Sequence, residues 1–262
     1  MENSEYAGRN TIDDLERLSA ILESMKKDSE SKNNLLKIIS HDLMSPATSI
    51  AGLVKLLLKP ETVANFTDKQ LNIVQTVDRA MNQYMETLFN IMELSRILRN
   101  TACLKKENVE CQALIDTSVE KVKQKAAAKG IVINSDYHGT ETVFTDREKA
   151  RQTLDRLLSN AVMFTQTGGV VEVFCQEDGG HMILEVRDNG VGIEKERLDR
   201  IFDIDEKTKT FGTCDEKGSG MGLCIAERTA RLCGGGLVLQ SEPGHGTVAR
   251  LRLPKRDEII DK

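Results

Sequence analysis

Apolar residues recur every three or four positions through the first hundred residues of the chain, as they do on one face of an amphipathic helix. Ile12, Leu15 and Leu18 begin this stripe, and residues 1–34 are therefore predicted to form a helical lead-in. The polar run over residues 26–34 interrupts the stripe, so a solvated linker remains the alternative for that portion.

Two long helices are predicted to follow this lead-in and to form a hairpin. The first resumes the apolar stripe at Leu35 and is closed by Pro60, whereas the second begins at the N-cap candidate Thr67 and extends to Leu98. One hairpin cannot cover its own wide apolar stripe, and pairing with a second copy into a four-helix bundle would bury it. We therefore expect residues 35–102 to form a homodimeric helical domain.

The pattern changes after that point to helices that alternate with strands rich in β-branched residues. Strands are predicted at residues 131–134, 170–174, 182–187, 237–240 and 247–253. The Lys- and Ala-rich stretch at 121–129 predicts an exposed helix face. Residues 103–256 are thus expected to form an α+β domain, followed by a short tail at 257–262.

Composition and charge exclude several classes of protein. The chain has 262 residues, 39% of them apolar and 29% charged, which is ordinary for a globular protein of two modest domains. Its formal net charge of −5 argues against a surface for nucleic acid or anionic membrane, since both need clustered Lys and Arg. The longest apolar stretch, residues 50–58, contains Lys55 and is far shorter than the roughly 18 residues of a membrane span. We expect a cytoplasmic protein or the cytosolic part of a membrane receptor.

His41 on the first long helix is a candidate for phosphoryl chemistry. Pro46 follows it, and the ring of a proline at that position clashes with the carbonyl group of Asp42 and bends the helix. A neutral imidazole, with an ordinary pKa of about 6.5, accepts phosphate near pH 7. Asp42 is the candidate base, and Ser45 on the same helix face is a candidate for orienting a hydrolytic water. Taken alone, a surface histidine is the more common meaning of such a segment.

Asp188 is a candidate for binding a base, because it follows an apolar strand and precedes Gly190 and Gly192. A carboxylate at a strand end, with a flexible turn behind it, is suited to accept a hydrogen bond from the amino group of adenine. A simple hairpin turn is the alternative for this tripeptide.

Phosphate and metal binding have candidates of their own. Gly218, Gly220 and Gly222 open a helical pattern, and backbone amides at a glycine-lined helix start bind phosphates. Asn160 lies on a helix predicted from Gln152 to Phe164, and an amide oxygen is a hard ligand suited to Mg²⁺. Each signal is weak in isolation, whereas their common order along the chain is specific.

Four segments in this order resemble the H, N, G1 and G2 boxes of sensor histidine kinases. These segments are His41-Asp42-Leu43-Met44-Ser45-Pro46, Leu157-Leu158-Ser159-Asn160-Ala161, Asp188-Asn189-Gly190-Val191-Gly192 and Gly218-Ser219-Gly220-Met221-Gly222-Leu223. The resemblance covers residues 35–254. It implies a fold of several domains, in which an all-α hairpin forms a dimeric four-helix bundle and precedes an α/β two-layer sandwich shared with gyrase-type ATPases.

The same resemblance implies an autokinase of a two-component system, which uses ATP and Mg²⁺ to phosphorylate its own histidine. The phosphoryl group would pass to an aspartate in the receiver domain of a response regulator, and phosphatase activity is also permitted. The implied roles are phosphoacceptor for His41, its base for Asp42, Mg²⁺ ligand for Asn160, adenine recognition for Asp188 with Thr247, and nucleotide loops for Gly190, Gly192, Gly218, Gly220 and Gly222.

Two positions depart from the family pattern. Arg156 and Met163 stand where the family usually carries Asn and Lys, which serve the metal or the triphosphate. Arg156 can still meet a phosphate as a cation, but Met163 cannot, so Lys207, Lys209 and Lys217 of the predicted nucleotide lid, residues 203–217, are candidates to compensate. The alternative function is a catalytically weak regulatory module that binds a response regulator. A different ATPase or a serine kinase ranks last, because neither explains the segment around His41.

Overall fold

The computed structural model describes residues 31, 38, 42–98, 104–137, 141–203, 212–214 and 220–256. The chain divides into two compact units, Met1–Ala102 and Cys103–Lys262. Most of the predicted lead-in and the whole predicted tail lie outside the described residues. None of the helices within the described ranges combines the length and the apolar character needed to cross a membrane.

The described residues of the first unit form helices, as predicted. Helix α1 covers residues 42–57, α2 spans Pro60–Val63 and α3 spans Asp68–Leu98. Helix α1 continues through Pro46, and Pro60 occupies the first position of α2, where its missing N–H group costs nothing.

The predicted N-cap at Thr67 is confirmed by a reciprocal pair of hydrogen bonds at the start of α3. The backbone N–H group of Thr67 donates to Oε1 of Gln70 at 2.9 Å, and that of Gln70 donates to Oγ1 of Thr67 at 3.4 Å. This capping box gives two amides of the first turn acceptors that the helix itself cannot supply.

The second unit alternates strands and helices. In chain order these are β1 Lys106–Glu110, α4 Cys111–Ala128, β2 Val132–Tyr137, β3 Thr142–Asp146, α5 Arg147–Phe164, β4 Val170–Asp178, β5 His181–Asp188, α6 Lys195–Leu198, α7 Gly222–Leu232, β6 Gly236–Glu242 and β7 Gly246–Pro254. Each predicted strand is present. Strands β1 and β3 went unpredicted, since only Val109 of β1 is buried and the two strands depend on pairing with each other.

The main sheet has five strands in the order β2-β4-β5-β7-β6. Strands β2 and β4 are parallel, whereas the other neighbours are antiparallel. The β4–β5 hairpin turns at Gly179 and Gly180, whose φ angles of 54° and 82° are the positive values that a tight type I′ turn needs.

Helices α4, α5 and α7 cover one face of this sheet and form a two-layer α/β sandwich, which confirms the expected fold of this half. Alternate strand residues such as Val173, Leu184 and Leu251 are fully buried against helical residues such as Ile115 and Leu154. This alternation follows from the period of two along a strand, which points successive side chains to opposite faces of the sheet.

The prediction of an exposed face over residues 121–129 is wrong at its end. Lys129 is only 7% exposed, and Val122 and Ala126 are also buried. Val122 and Ala126 lie on the side of α4 that faces the core, and Lys129, which caps the helix, is buried on the same side.

Candidate functional site

Asp188 lies at the end of β5 and is 8% exposed. Its Oδ1 atom accepts the backbone N–H groups of Gly190 at 2.9 Å and Thr247 at 3.2 Å. Burial raises the pKa of this carboxyl to about 6 from its ordinary 3.8, although the two hydrogen bonds act in the opposite direction. Both backbone donors address Oδ1, so neither of them occupies the other carboxylate oxygen.

The register of the sheet brings Thr247 to this carboxylate. Strands β5 and β7 pair Asp188 with Thr247, and the Thr247 hydroxyl lies 2.9 Å from Oγ of Ser241. The hairpin-turn alternative for the segment after Asp188 is wrong, since the element that follows β5 among the described residues is helix α6.

The glycines after Asp188 allow the loop to pack against two other elements. A Cβ atom on Gly190 would overlap the carbonyl oxygen of Phe164, and one on Gly192, where φ is +69°, would overlap that of Glu242. Between them, Val191 donates its N–H group to the Phe164 carbonyl at 3.1 Å. No side chain larger than hydrogen fits at either glycine without moving backbone.

Helix α5 carries two of the predicted residues on one face. Its N-cap Asp146 accepts the N–H group of Lys149 at 3.0 Å, which fixes the start of the helix. Arg156 and Asn160 are four residues apart and therefore neighbours on the helix surface, and both are partly exposed. A Cβ atom on Gly222 would lie 3.9 Å from Nη1 of Arg156. The tertiary structure thus brings the guanidinium group to the first residue of α7.

The start of α7 offers backbone amides. Gly220 has a φ of +76°, Gly222 is the first helical residue, and the N-cap Met221 makes no side-chain capping bond. The amides of the first turn cannot bond within the helix, so they form a ready site for an anion.

The remaining predicted residues belong to other parts of the chain. His41, Lys217 and Gly218 lie outside the described residues. Asp42 and Ser45 lie in α1 and are exposed. Within the described ranges there is no group of three His, Cys, Asp or Glu side chains placed to hold a metal ion.

Sequence reasoning missed Lys129 and Thr213. The ammonium group of Lys129 donates to the carbonyl oxygens of Val162 and Met163, at 2.9 and 3.0 Å, and to Oγ1 of Thr213 at 2.7 Å. The only sequence signal was a lysine directly before Gly130 at the end of a helix, and that pattern is common on surfaces.

Comparisons with known proteins find one family model and several sensor kinases that are similar to this chain. Residues 145–257 match the model described as histidine kinase-, DNA gyrase B-, and HSP90-like ATPase. The chain is 28% identical over 244 residues to the aerobic respiration control sensor protein ArcB of Escherichia coli K12, which covers 91% of this chain and 31% of ArcB. It is 27% identical over 239 residues to the autoinducer 2 sensor kinase/phosphatase LuxQ of Vibrio parahaemolyticus, which covers 88% of this chain and 27% of LuxQ.

A solved structure extends the similarity to most of the fold. The crystal structure of full-length ShkA in complex with AMPPNP matches with a TM-score of 0.68 and 25% identity, over 84% of this chain and 45% of ShkA. The Acinetobacter baumannii histidine kinase AdeS shares the fold over 83% of this chain, with a TM-score of 0.58 and 16% identity. This chain spans about a third of the length of the curated relatives that it matches.

Proposed function

We propose that this chain is an ATP-dependent protein-histidine autokinase. It is a relative of the sensor histidine kinases, and residues 145–257 match the histidine kinase-, DNA gyrase B-, and HSP90-like ATPase family. It phosphorylates His41 and passes the phosphoryl group to an aspartate of a response regulator. The nucleotide half of this proposal rests on one observation. The Asp188 carboxylate, within the residues that match the ATPase family, is buried and is oriented by two backbone N–H groups.

Adenine recognition follows from the orientation of that carboxylate. Oδ1 of Asp188 is occupied by the N–H groups of Gly190 and Thr247, so Oδ2 accepts from the exocyclic amino group of adenine. Few water molecules compete in this buried position, which strengthens the hydrogen bond. The Thr247 hydroxyl supports the base through water.

The phosphates bind at the start of α7. The backbone amides near Gly220 and Gly222 and the guanidinium group of Arg156 beside them attract the negatively charged oxygens. Asn160, one turn from Arg156, would present its amide oxygen to Mg²⁺, which when bound neutralises phosphate charge. Lys217 and Gly218 complete the phosphate loop in this proposal.

The transfer step needs only a neutral imidazole and an in-line phosphate. A ring nitrogen of His41 attacks the γ-phosphorus atom of ATP, the bond to the bridging oxygen breaks, and ADP leaves. Asp42 accepts the hydrogen bond of the opposite ring N–H group and stabilises the positive charge that develops on the ring. Ser45 would orient a water molecule for the phosphatase activity, in which the phosphohistidine is hydrolysed.

A second copy of the chain is the proposed partner of the helical unit. Large apolar side chains of α1 and α3 are exposed in the single chain, among them Leu53 at 62% and Phe89 at 56%. Exposed large apolar side chains that recur along both helices indicate an interface. A homodimeric four-helix bundle buries it, and the exposed Asp42 and Ser45 then remain accessible to a response regulator.

The test is transfer of labelled γ-phosphate from Mg-ATP to the purified chain and to a His41→Gln variant. We expect acid-labile, base-stable label on the native chain and none on the variant, because that stability identifies phosphohistidine. Equal labelling of both proteins would reject His41 as the acceptor.

A catalytically weak regulatory module is the second candidate, because Met163 carries no charge where the family usually has lysine. Nucleotide binding separates the two functions. A folded chain that binds ATP and transfers no label would favour the weak module, whereas label on His41 would exclude it.

A further inference from the structure

The end of α5 is the meeting point of three segments of the catalytic unit. Its carbonyl groups receive donors from Lys129 at the end of α4, from Thr213, and from Val191 in the loop after Asp188. We call Lys129, Thr213 and the carbonyl groups of residues 162, 163 and 165 the Lys129 cluster. We infer that this cluster positions the nucleotide site, with Lys129 as a positioning residue for ATP binding; this inference rests on the proposed function.

Lys129 is suited to this role by burial and by the helix end that it faces. A buried ammonium group needs acceptors, and the last carbonyl groups of α5 have no partner within their own helix. They also form the negative end of the helix dipole, which attracts a cation. The backbone of Lys129 adds a further link, since its carbonyl group accepts the N–H group of Gly168 at 3.0 Å. One residue therefore joins the ends of α4 and α5.

Thr213 closes the cluster from a distant part of the chain. Its N–H group donates to the carbonyl oxygen of Met163 at 3.1 Å, and its hydroxyl donates to that of Thr165 at 2.8 Å while it accepts from Lys129. Residues 212–214 are thereby fixed against the last turn of α5. Related kinases usually have a lysine at the position of Met163. Here the cation at this turn is instead the ammonium group of Lys129, which binds the backbone carbonyl group of Met163.

A single residue, Phe164, connects the Lys129 cluster to the loop of the nucleotide site. The carbonyl group after Met163 belongs to Phe164, and it accepts the N–H group of Val191 at 3.1 Å. Val191 lies between Gly190, whose N–H group orients Asp188, and Gly192. Loss of the ammonium group would leave the carbonyl groups of residues 162 and 163 without this donor. The last turn of α5 would then loosen, and with it the loop that orients the carboxylate.

The expected consequence is weaker nucleotide binding with little change in the transfer step. Lys129 touches neither the base nor His41 in this proposal, so it acts on the dissociation constant of ATP and leaves kcat at saturating ATP within about twofold. We expect Lys129→Met to raise that dissociation constant about tenfold, within the range that coupling between sites usually spans. Thr213→Val, which removes one acceptor of the ammonium group, should have a smaller effect in the same direction.

The experiment is a double-mutant cycle on the full chain, read by ATP binding, by autophosphorylation kinetics and by thermal unfolding. The variants are Lys129→Met, Thr213→Val and the double variant, and Lys125→Met is the matched control because Lys125 is exposed one turn earlier on α4. We expect the double variant to bind ATP about as weakly as Lys129→Met alone, since both changes disrupt the same cluster. The control should bind ATP like the native chain.

The outcomes are distinguishable from failure of the proposed function. A native chain that binds no ATP rejects the proposed function itself. A native chain that binds ATP, together with a folded Lys129→Met variant of equal affinity, overturns the inference alone. Additive losses in the double variant also overturn it. Should Lys129→Met fail to fold, an unchanged affinity in Thr213→Val overturns the inference, and a weakened affinity supports it.

Discussion

Asp188 and Thr247 lie 59 residues apart in the chain, and yet Oδ1 of Asp188 accepts the backbone N–H group of Thr247 at 3.2 Å. A second backbone donor, Gly190, addresses the same oxygen at 2.9 Å. The carboxylate therefore has one oxygen bound to the protein and one free to meet a ligand. Any side chain at residue 188 must place a hydrogen-bond acceptor where Oδ1 lies, because two backbone N–H groups point there. This requirement determines which group lies at the place of Oδ2.

Asp188→Asn should change base preference as well as lower affinity. The amide oxygen must face the two N–H groups, so the amide NH₂ group faces the ligand and opposes the amino group of adenine. We expect ATP affinity to fall at least about a hundredfold, since two donors then face each other in a buried site. Inosine triphosphate has an oxygen in place of that amino group and should bind the variant better than ATP does.

Competition binding with ATP and inosine triphosphate checks this prediction. Asp178→Asn is the matched control, because it makes the same chemical change at an exposed strand end. Equal loss of both nucleotides in Asp188→Asn would mean that the carboxylate does not read the base.

The raised pKa of Asp188 predicts that its ionisation opposes folding. A folded-state pKa of about 6 lies above the ordinary 3.8, so the stability linked to the bound proton is fully present below 3.8 and is lost as the pH rises through about 6. Asp188→Asn avoids this loss. The free energy of unfolding of Asp188→Asn minus that of the native chain should increase by about 1 kcal/mol between pH 5 and pH 7.5.

Denaturant unfolding of the native chain and Asp188→Asn at these two pH values measures that difference. A constant difference for Asp188→Asn would place the pKa of the carboxyl outside this window.

Gly192→Ala should destabilise the chain more than the same substitution at Gly168. The new Cβ would meet the carbonyl group of Glu242 and would also sit at a φ of +69°. Gly168→Ala is the control, since its φ of +79° imposes similar backbone strain in open space. We expect a cost of about 1 kcal/mol for Gly168→Ala from strain alone and several times that for Gly192→Ala. Thermal unfolding of both variants checks the order, and equal costs would show that the contact with Glu242 yields easily.

Arg156→Met should weaken binding of ATP and leave binding of adenosine nearly unchanged. The guanidinium group lies beside Gly222 at the start of α7, where we place the phosphates. Loss of one charge-assisted contact corresponds to about a tenfold fall in affinity. Arg147→Met on the same helix is the control, because its side chain is exposed and pairs with Glu107. Calorimetry with both ligands tests this, and an equal loss for adenosine would argue for a structural role of Arg156.

Leu53→Lys should shift the chain from dimer to monomer. Leu53 is 62% exposed in the single chain, and burial of a lysine in the proposed bundle would cost several kcal/mol. Lys55→Glu is the control, since Lys55 is an exposed polar residue of the same helix. Sedimentation equilibrium measures the association, and an unchanged dimer would move the interface away from this part of α1.

The sequence alone located most of the elements, because their signals are local. The helix predicted from Gln152 to Phe164 is present as part of α5, and its Leu154, Leu157 and Leu158, spaced to share one side, are at most 2% exposed. The strands of the five-stranded sheet were visible for the same reason, since a strand's richness in β-branched residues depends only on its own sequence. The order of the four motif segments added the resemblance to the kinases.

Tertiary structure alone decided what depends on distant partners. Strands β1 and β3 are short and largely polar, and they exist through their pairing across some forty residues. The register of β5 with β7 gives Asp188 its second donor. Lys129 is buried because its three acceptors come from 33 to 84 positions further along the chain. Helix and strand patterns follow from neighbouring residues, whereas the orientation of a carboxylate and the burial of a lysine follow from contacts that only the folded chain creates.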